Sequence, residues 1–384
     1  MKLLHVVPTY LPAWRHGGPI LAIHGLCKAL AARGHEVTVF TTDVHGEGTL
    51  DVPLAAPVAM DGIEVWYFPV RSPRRLYLAP ALGQAARDGA AGFDVLHLHS
   101  VFLWPTSAAA RAAERAGVPY VLSPRGMLVP ELMRTRGRWR KLAWMLLAER
   151  HTVERAAVLH ATSALEAEEA ARLDLSLPPV AVVPNGIDAE PWDGDEAALT
   201  PAVRAVLGSS PFLLYLGRLS WKKGLDRLIP AMARVPGTFL VIAGNDEEGI
   251  RPGLERLARE TGVADRTAFL GPVQGADKAA LLHRAAALVL PSRSENFGNV
   301  VLEAWAAGRP VAVTREVGLA ESVRETGAGI VADGDLGAVL RDLLADPDRL
   351  DAMGRRGAEA VRERFGWPAA ARAMETVYER IADR

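Results

Sequence analysis

A single cysteine, Cys27, among 384 residues leaves no partner for an internal disulfide and excludes a multi-cysteine metal site. That scarcity fits a reducing compartment, and the helix-like flank Gly25-Leu26-Cys27-Lys28-Ala29-Leu30 reads as holding a buried, inert thiol. Long apolar runs are missing too; none reaches the roughly 18–20 residues of a membrane span. The N-terminus goes from Met1-Lys2 straight into Leu3-Leu4-His5-Val6-Val7-Pro8, a strand-sized run without the apolar core and cleavage site of a signal peptide. A cytoplasmic protein is expected. Net charge is only −1 at pH 7, so no overall basic field argues for nucleic acid. No Gly-x-Gly-x-x-Gly follows the first apolar run, which disfavours a dinucleotide oxidoreductase.

What the chain does have is 49% hydrophobic residues, enough for two domains with their own cores. Short apolar runs alternate with amphipathic segments, the pattern of an α/β protein with parallel sheets covered by helices. Strands are expected at 3–7, 36–41, 63–68, 95–99, 120–123, 158–161 and 180–183, then at 212–216, 238–243, 267–270, 287–290 and 310–313. Between the two series, Pro184-Asn185-Gly186-Ile187-Asp188 and the acidic stretch to Pro201 read as a linker. Two similar domains, 1–184 and 185–365, would carry ligand motifs at their strand ends, facing across a cleft.

The most informative of these motifs is Pro291-Ser292-Arg293-Ser294-Glu295-Asn296-Phe297-Gly298-Asn299-Val300-Val301-Leu302-Glu303. Glu295 falls on a loop and Glu303 a turn or so into the next helix. The backbone N–H groups of Phe297, Gly298 and Asn299 would point out of the helix start, where a diphosphate is favoured. A solvated loop before an ordinary helix fits the same residues. After another strand comes Gly217-Arg218-Leu219-Ser220-Trp221-Lys222-Lys223-Gly224, in which Arg218 can fork onto a phosphate and Lys223 can add a point charge; Lys222 reads equally as solvated. His16-Gly17-Gly18-Pro19 opens the first helix, where Gly17 and Gly18 suit either close approach to a ligand or a tight turn. His97 and His99 alternate along a strand end, where only one is expected to face the ligand, with His99 the candidate; either reads equally as a histidine hydrogen-bonded in the domain core. Ser163 and Glu166 have capping-box spacing, and Asn185-Gly186 reads as a hinge turn.

Together these residues resemble the retaining glycosyltransferases of family 4, whose two-domain architecture is called GT-B. The likeness runs over nearly the whole chain, through His16-Gly17-Gly18-Pro19, His97-Leu98-His99-Ser100, Pro184-Asn185-Gly186-Ile187-Asp188, the basic turn, the Glu295 and Glu303 pair, and Gly308-Arg309-Pro310-Val311. It implies transfer of a sugar from a nucleoside diphosphate donor, UDP- or GDP-linked, with retention of configuration, no metal and no cofactor. On that resemblance Arg218 and Lys223 hold the diphosphate, Glu295 touches the donor sugar, Glu303 binds the ribose, and Gly17 and Gly18 approach the diphosphate from the other domain. It also implies front-face attack rather than a covalent Glu295 intermediate, nucleobase binding near Gly271-Pro272-Val273, and a helix over about 366–384 that returns to the first domain. Many relatives carry a histidine after the strand matching 120–123, where this chain reads Ser123-Pro124-Arg125-Gly126-Met127. Arg125 there could bind phosphate or an anionic acceptor but cannot act as a base.

The acceptor is less legible. Arg134, Arg136, Arg138, Arg140 and Lys141 precede Leu142-Ala143-Trp144-Met145-Leu146-Leu147-Ala148, which reads either as a membrane-surface element over 134–148 serving a lipid-linked acceptor at the inner membrane face, or as a charged loop before a packed helix. A nucleotide-sugar 2-epimerase of the same architecture and a non-catalytic sugar-nucleotide sensor are the competing functions.

Overall fold

The computed structural model describes all residues except 14–17, 129–148, 189–191, 193, 209–210 and 384. The chain divides into two compact units, Met1–Gly186 with Trp367–Arg384, and Ile187–Gly366, against an expected boundary after residue 184.

Among the described residues, unit 1 is built on ten strands. They are β1 (Lys2–Val6), β2 (Glu36–Thr42), β3 (Val44–His45), β4 (Gly48–Thr49), β5 (Pro57–Met60), β6 (Ile63–Phe68), β7 (Val95–His99), β8 (Tyr120–Ser123), β9 (Val158–Ala161) and β10 (Val180–Val182). Eight of them form one sheet in the order β10-β9-β8-β7-β1-β2-β6-β5, while β3 and β4 make a small hairpin. Neighbours in the sheet are parallel except β5, which lies antiparallel to β6 at the edge. Central strands are buried on both faces, so every residue of β7 and β8 and all of β1 but Lys2 is buried. One face is covered by the helices Gly18–Ala31 and Trp367–Ala382, whose Leu26, Cys27, Leu30, Met374 and Tyr378 share a core with Leu3 and Val95. The two helices meet so closely that a Cβ on Gly25 would lie 2.2 Å from the Trp367 ring. The helices Pro80–Gly89 and Trp104–Ala116 cover the opposite face against Leu4, Leu96 and Leu98.

Unit 2 carries β11 (Phe212–Leu216), β12 (Phe239–Ala243), β13 (Thr267–Gly271), β14 (Ala287–Leu290), β15 (Val311–Thr314) and β16 (Gly329–Ala332). Their order is β13-β12-β11-β14-β15-β16, all parallel, around a core that includes the fully buried Trp305. Counted within the unit this is the doubly wound order 3-2-1-4-5-6, and it reverses between β11 and β14. At such a reversal the helices leave by opposite faces and open a crevice at the carboxyl ends of the two strands. The turn 217–224 leaves β11 and the loop 291–298 leaves β14, so both motifs sit at that crevice. In unit 1 the same reversal falls between β1 and β7. Among the described residues no helix is long and apolar enough to cross a membrane.

Candidate functional site

The basic turn and the acidic loop of unit 2 are braced against each other by several independent contacts. Gly224 (φ +68°) caps the helix Leu225–Ala231, and a Cβ there would lie 2.0 Å from the Pro291 carbonyl oxygen. Only glycine permits both that backbone conformation and that approach. Arg227 donates to the Pro291 and Ser292 carbonyls at 2.7 and 2.6 Å, and the Thr314 hydroxyl donates to Ser292 O at 2.6 Å. Arg293 grips Asp226 through both terminal nitrogens, at 2.6 and 2.9 Å, and this guanidinium holds the Asp226 carboxyl below the usual carboxylate range. Backbone bonds between Glu295 and the segment Glu316 to Gly318 fasten the other side of the loop.

Within this frame the structure brings together Lys223 and Glu295, whose ammonium and carboxylate form a direct ion pair with only 18% of each side chain exposed. The predicted partners Arg218 and Glu303 stand elsewhere. Arg218, 64% exposed, pairs with Glu247 at 3.1 Å on the loop after β12. Glu303 is the fifth residue of the helix Asn299–Ala306 and pairs with Lys278 at 3.2 Å. Phe297 turns its side chain into the core, so only its backbone is available to a ligand. Gly298 (φ +94°) is the cap of that helix and Asn299 its first residue, which puts their N–H groups at the positive end of the dipole. The segment Gly271-Pro272-Val273 leaves β13, two strands from β11 at the sheet edge.

In unit 1, Gly18 begins the helix Gly18–Ala31, while Gly17 and His16 lie outside the described residues. His97 and His99 do not alternate between the two faces of the sheet, and with that the ground for expecting only one of them to face the ligand falls away. Residues two apart on a strand share a face, and the two rings stack with centroids 4.2 Å apart, both buried. His5 on β1 lies beside His97 in register, and His160 on β9 completes a cluster. The proton positions follow from the ends of the chain. The Val183 carbonyl can only accept, so His160 Nε2–H donates to it at 2.9 Å and His160 Nδ1 accepts from Ser123 Oγ–H at 2.6 Å. Ser123 Oγ then accepts from His97 Nε2–H, and His97 Nδ1 accepts from the Tyr378 hydroxyl, each at 2.6 Å. On the other branch Arg125 Nη2 donates to His99 Nδ1 at 3.4 Å, which sends His99 Nε2–H to His5 Nδ1 at 3.1 Å. This pattern has one proton on each ring, in keeping with burial, which together with the Arg125 charge pushes all four histidines well below their ordinary range, His5 and His160 to about 3.

Nitrogens of His5, His97 and His99 lie within 4.8 Å of one another, near enough for a metal ion. A cation there would have to displace either Ser123 or Tyr378 from His97 and sit beside a guanidinium, so the donor set does not favour one. Arg125 itself takes a left-handed backbone (φ +55°), as do Ser100 (φ +70°) and Phe102 (φ +64°) just beyond β7. Strain of this kind costs of order 1–3 kcal/mol per residue and persists where the surroundings impose it. Arg125 Nη1 donates to Asn185 at 2.9 Å, and Glu166 receives Gly126 N–H at 2.6 Å while its other oxygen takes Thr162 N–H at 2.7 Å. Ser163 Oγ caps the helix Ala164–Ala171 as its spacing predicts. Sequence reasoning missed His5, His160, Tyr378, Asp226, Arg227, Arg293 and Lys278. A cavity of about 210 Å³ among Glu114, Tyr120 and Glu154, at the amino end of β8, touches none of the site residues.

The comparisons with known proteins agree with this arrangement. Residues 201–360 match the family model described as "Glycosyl transferases group 1", and residues 17–186 match "Glycosyl transferase 4-like domain". The chain is 32% identical to a D-inositol 3-phosphate glycosyltransferase of Xylanimonas cellulosilytica, over 100% of this chain and 97% of that protein. It is 31% identical to a glycogen synthase of Mycobacterium tuberculosis, over 98% and 94%. Among solved structures, sucrose-phosphate synthase from Thermosynechococcus elongatus superimposes with a TM-score of 0.76 at 22% identity, covering 99% of this chain and 98% of that one. Anabaena HepE in complex with UDP-glucose does so with a TM-score of 0.73 at 20% identity, covering 99% and 100%.

Proposed function

Given that the chain belongs to the group 1 glycosyltransferases and has the GT-B fold, we propose that it is a retaining, metal-independent enzyme that moves a sugar from a nucleoside diphosphate to a hydroxyl acceptor. The observation that carries this reading is the meeting of Lys223 and Glu295 at the sheet reversal of unit 2. The diphosphate and the sugar of a donor are joined by one oxygen, so a cation for the first and a carboxylate for the second have to be neighbours.

A nucleoside diphosphate is already a good leaving group, and catalysis then consists chiefly of stabilising the charge that develops on it. Lys223, the N–H groups at Gly298 and Asn299, and Arg218 after release from Glu247 would supply that stabilisation. The Arg218–Glu247 pair is an exposed one, and such pairs are worth only about 0–1 kcal/mol, so exchanging Glu247 for a phosphate is cheap. Glu295 receives sugar hydroxyls in this reading. That binding role leaves no nucleophilic step for Glu295 and goes with front-face transfer, in which the acceptor oxygen bonds to the anomeric carbon as the bond from that carbon to the phosphate oxygen breaks. The acceptor proton passes to the departing phosphate. A uridine donor is preferred because HepE was solved with UDP-glucose. Arg125 is the candidate contact for an anionic acceptor. The basic segment 134–148 lies outside the described residues; its membrane-surface reading is tested against that of a charged loop by co-sedimentation with anionic vesicles at low salt.

The deciding experiment is a nucleotide-sugar panel read by thermal shift, followed by acceptor trials and determination of the product anomer. Lys223→Ala and Glu295→Ala should each lose transfer while keeping the wild-type melting temperature. Loss of one charge-assisted contact, about 1.5–3 kcal/mol, corresponds to roughly 10- to 150-fold weaker donor engagement. Full activity in both variants, or a product of inverted configuration, refutes the reading.

A further inference from the structure

Each carboxylate assigned to the donor is held by a lysine, and only one of those lysines belongs to the basic turn. The other, Lys278, sits on the helix Gly275–Arg284, which buries Ala279, Ala280, Leu281 and Leu282 and packs beside the helix Asn299–Ala306. Its Nζ lies 3.2 Å from Glu303 Oε1, with 17% and 20% of the two side chains exposed. Lys278 is the fourth residue of its helix, near the positive end of the dipole, where a cation is disfavoured. Helix stability therefore does not account for a lysine at this position, whereas its contact with Glu303 offers a reason for one. The Glu303 side chain is only partly covered, so it remains within reach of a ligand.

We propose that Lys278 is a positioning residue that fixes the Glu303 carboxylate, ionised and in one orientation, to receive the 2′- and 3′-hydroxyls of the donor ribose. The inference rests on the donor reading above and deepens it. A carboxylate on a three-torsion side chain has to be ordered before it can hold a diol, and a partner that orders it beforehand removes that loss from binding. A lysine suits the task because a point charge holds a carboxylate through a single contact. A guanidinium fork would occupy both carboxylate oxygens.

The test uses whichever of UDP, GDP and ADP the wild-type protein binds most tightly, together with its 2′,3′-dideoxy counterpart, with both affinities measured by calorimetry. Wild type should favour the ribonucleotide by about tenfold or more, the scale of hydrogen bonds to a charged group. In Lys278→Met, and in the more conservative Lys278→Gln, the preference should fall several-fold towards parity. Affinity for the dideoxynucleotide should stay unchanged, which a merely structural role would not give. Glu303→Gln is the reference for complete loss. If Glu303→Gln loses the preference and both Lys278 variants keep it, the role given to Lys278 is wrong. If Glu303→Gln also keeps it, or wild type shows none, the assignment of the ribose to Glu303 fails as well.

Discussion

At the scale of single residues, the arrangement of charges has a consequence that opposes the usual effect of deleting a binding residue. Lys223 and Glu295 neutralise each other before any donor arrives. A bare nucleoside diphosphate has to separate them, and then meets Glu295 as a like charge a few ångströms from its phosphates. Glu295→Gln removes the competitor and the repulsion together, so UDP alone should bind more tightly, by about 3- to 10-fold for a pair worth about 1 kcal/mol. UDP-sugar loses its hydroxyl acceptor in the same variant and should gain nothing or weaken. Calorimetry with the two ligands side by side checks this. Equal changes for both would mean that Glu295 does not distinguish sugar from diphosphate.

Among elements, the brace between the turn after β11 and the loop after β14 depends on one backbone position. Gly224→Ala places a methyl group against the Pro291 carbonyl at a left-handed residue, and overpacking of that kind costs about 1–3 kcal/mol. It should lower the stability of unit 2 and donor affinity together, because Lys223 and Glu295 ride on the two segments it forces apart. Gly253→Ala is the control, with nothing within 4 Å of its Cβ inside the helix Arg251–Glu260. It should be neutral or slightly stabilising in urea denaturation. The same region shows what the sequence made legible. The apolar runs of β11 and β14 and the polar junctions after them stand out because a buried parallel strand tolerates no polar break. The edge strand β5 does not stand out, since it starts at Pro57 and alternates with exposed residues; β16 starts at Gly329 and is equally inconspicuous. The site residues that escaped were those whose meaning lies in a distant partner. Arg293 meets Asp226 across 67 positions, and His5 is a strand residue like any other until register sets it beside His97. Pattern reveals faces and ends, whereas pairing across a sheet is decided by topology.

For the whole molecule, the two units should respond differently to acid. Four buried neutral histidines, His5, His97, His99 and His160, cluster in unit 1 around Arg125, Ser123 and Tyr378, while unit 2 contains only His283. A histidine whose folded pKa is depressed is uncharged in the native state and takes up a proton on unfolding at any pH below its ordinary value near 6.5. The unfolded state then binds more protons, so stability falls as pH drops from about 6.5 towards the folded values near 3. Each such group contributes a slope of up to about 1.4 kcal/mol per pH unit. Between pH 7 and 5 most carboxylates remain ionised, so the histidines dominate the change in this window. Hydrogen exchange followed by mass spectrometry, corrected for intrinsic rates, should show β1, β7 and β9 losing protection on going from pH 7 to 5, while β11 and β14 keep theirs. His160→Asn can still donate to the Val183 carbonyl but has no ring to titrate. It should make the loss in unit 1 shallower even if it lowers stability at pH 7. A parallel loss in both units, or a slope unaltered in His160→Asn, would show that acid acts on the protein through groups other than this cluster.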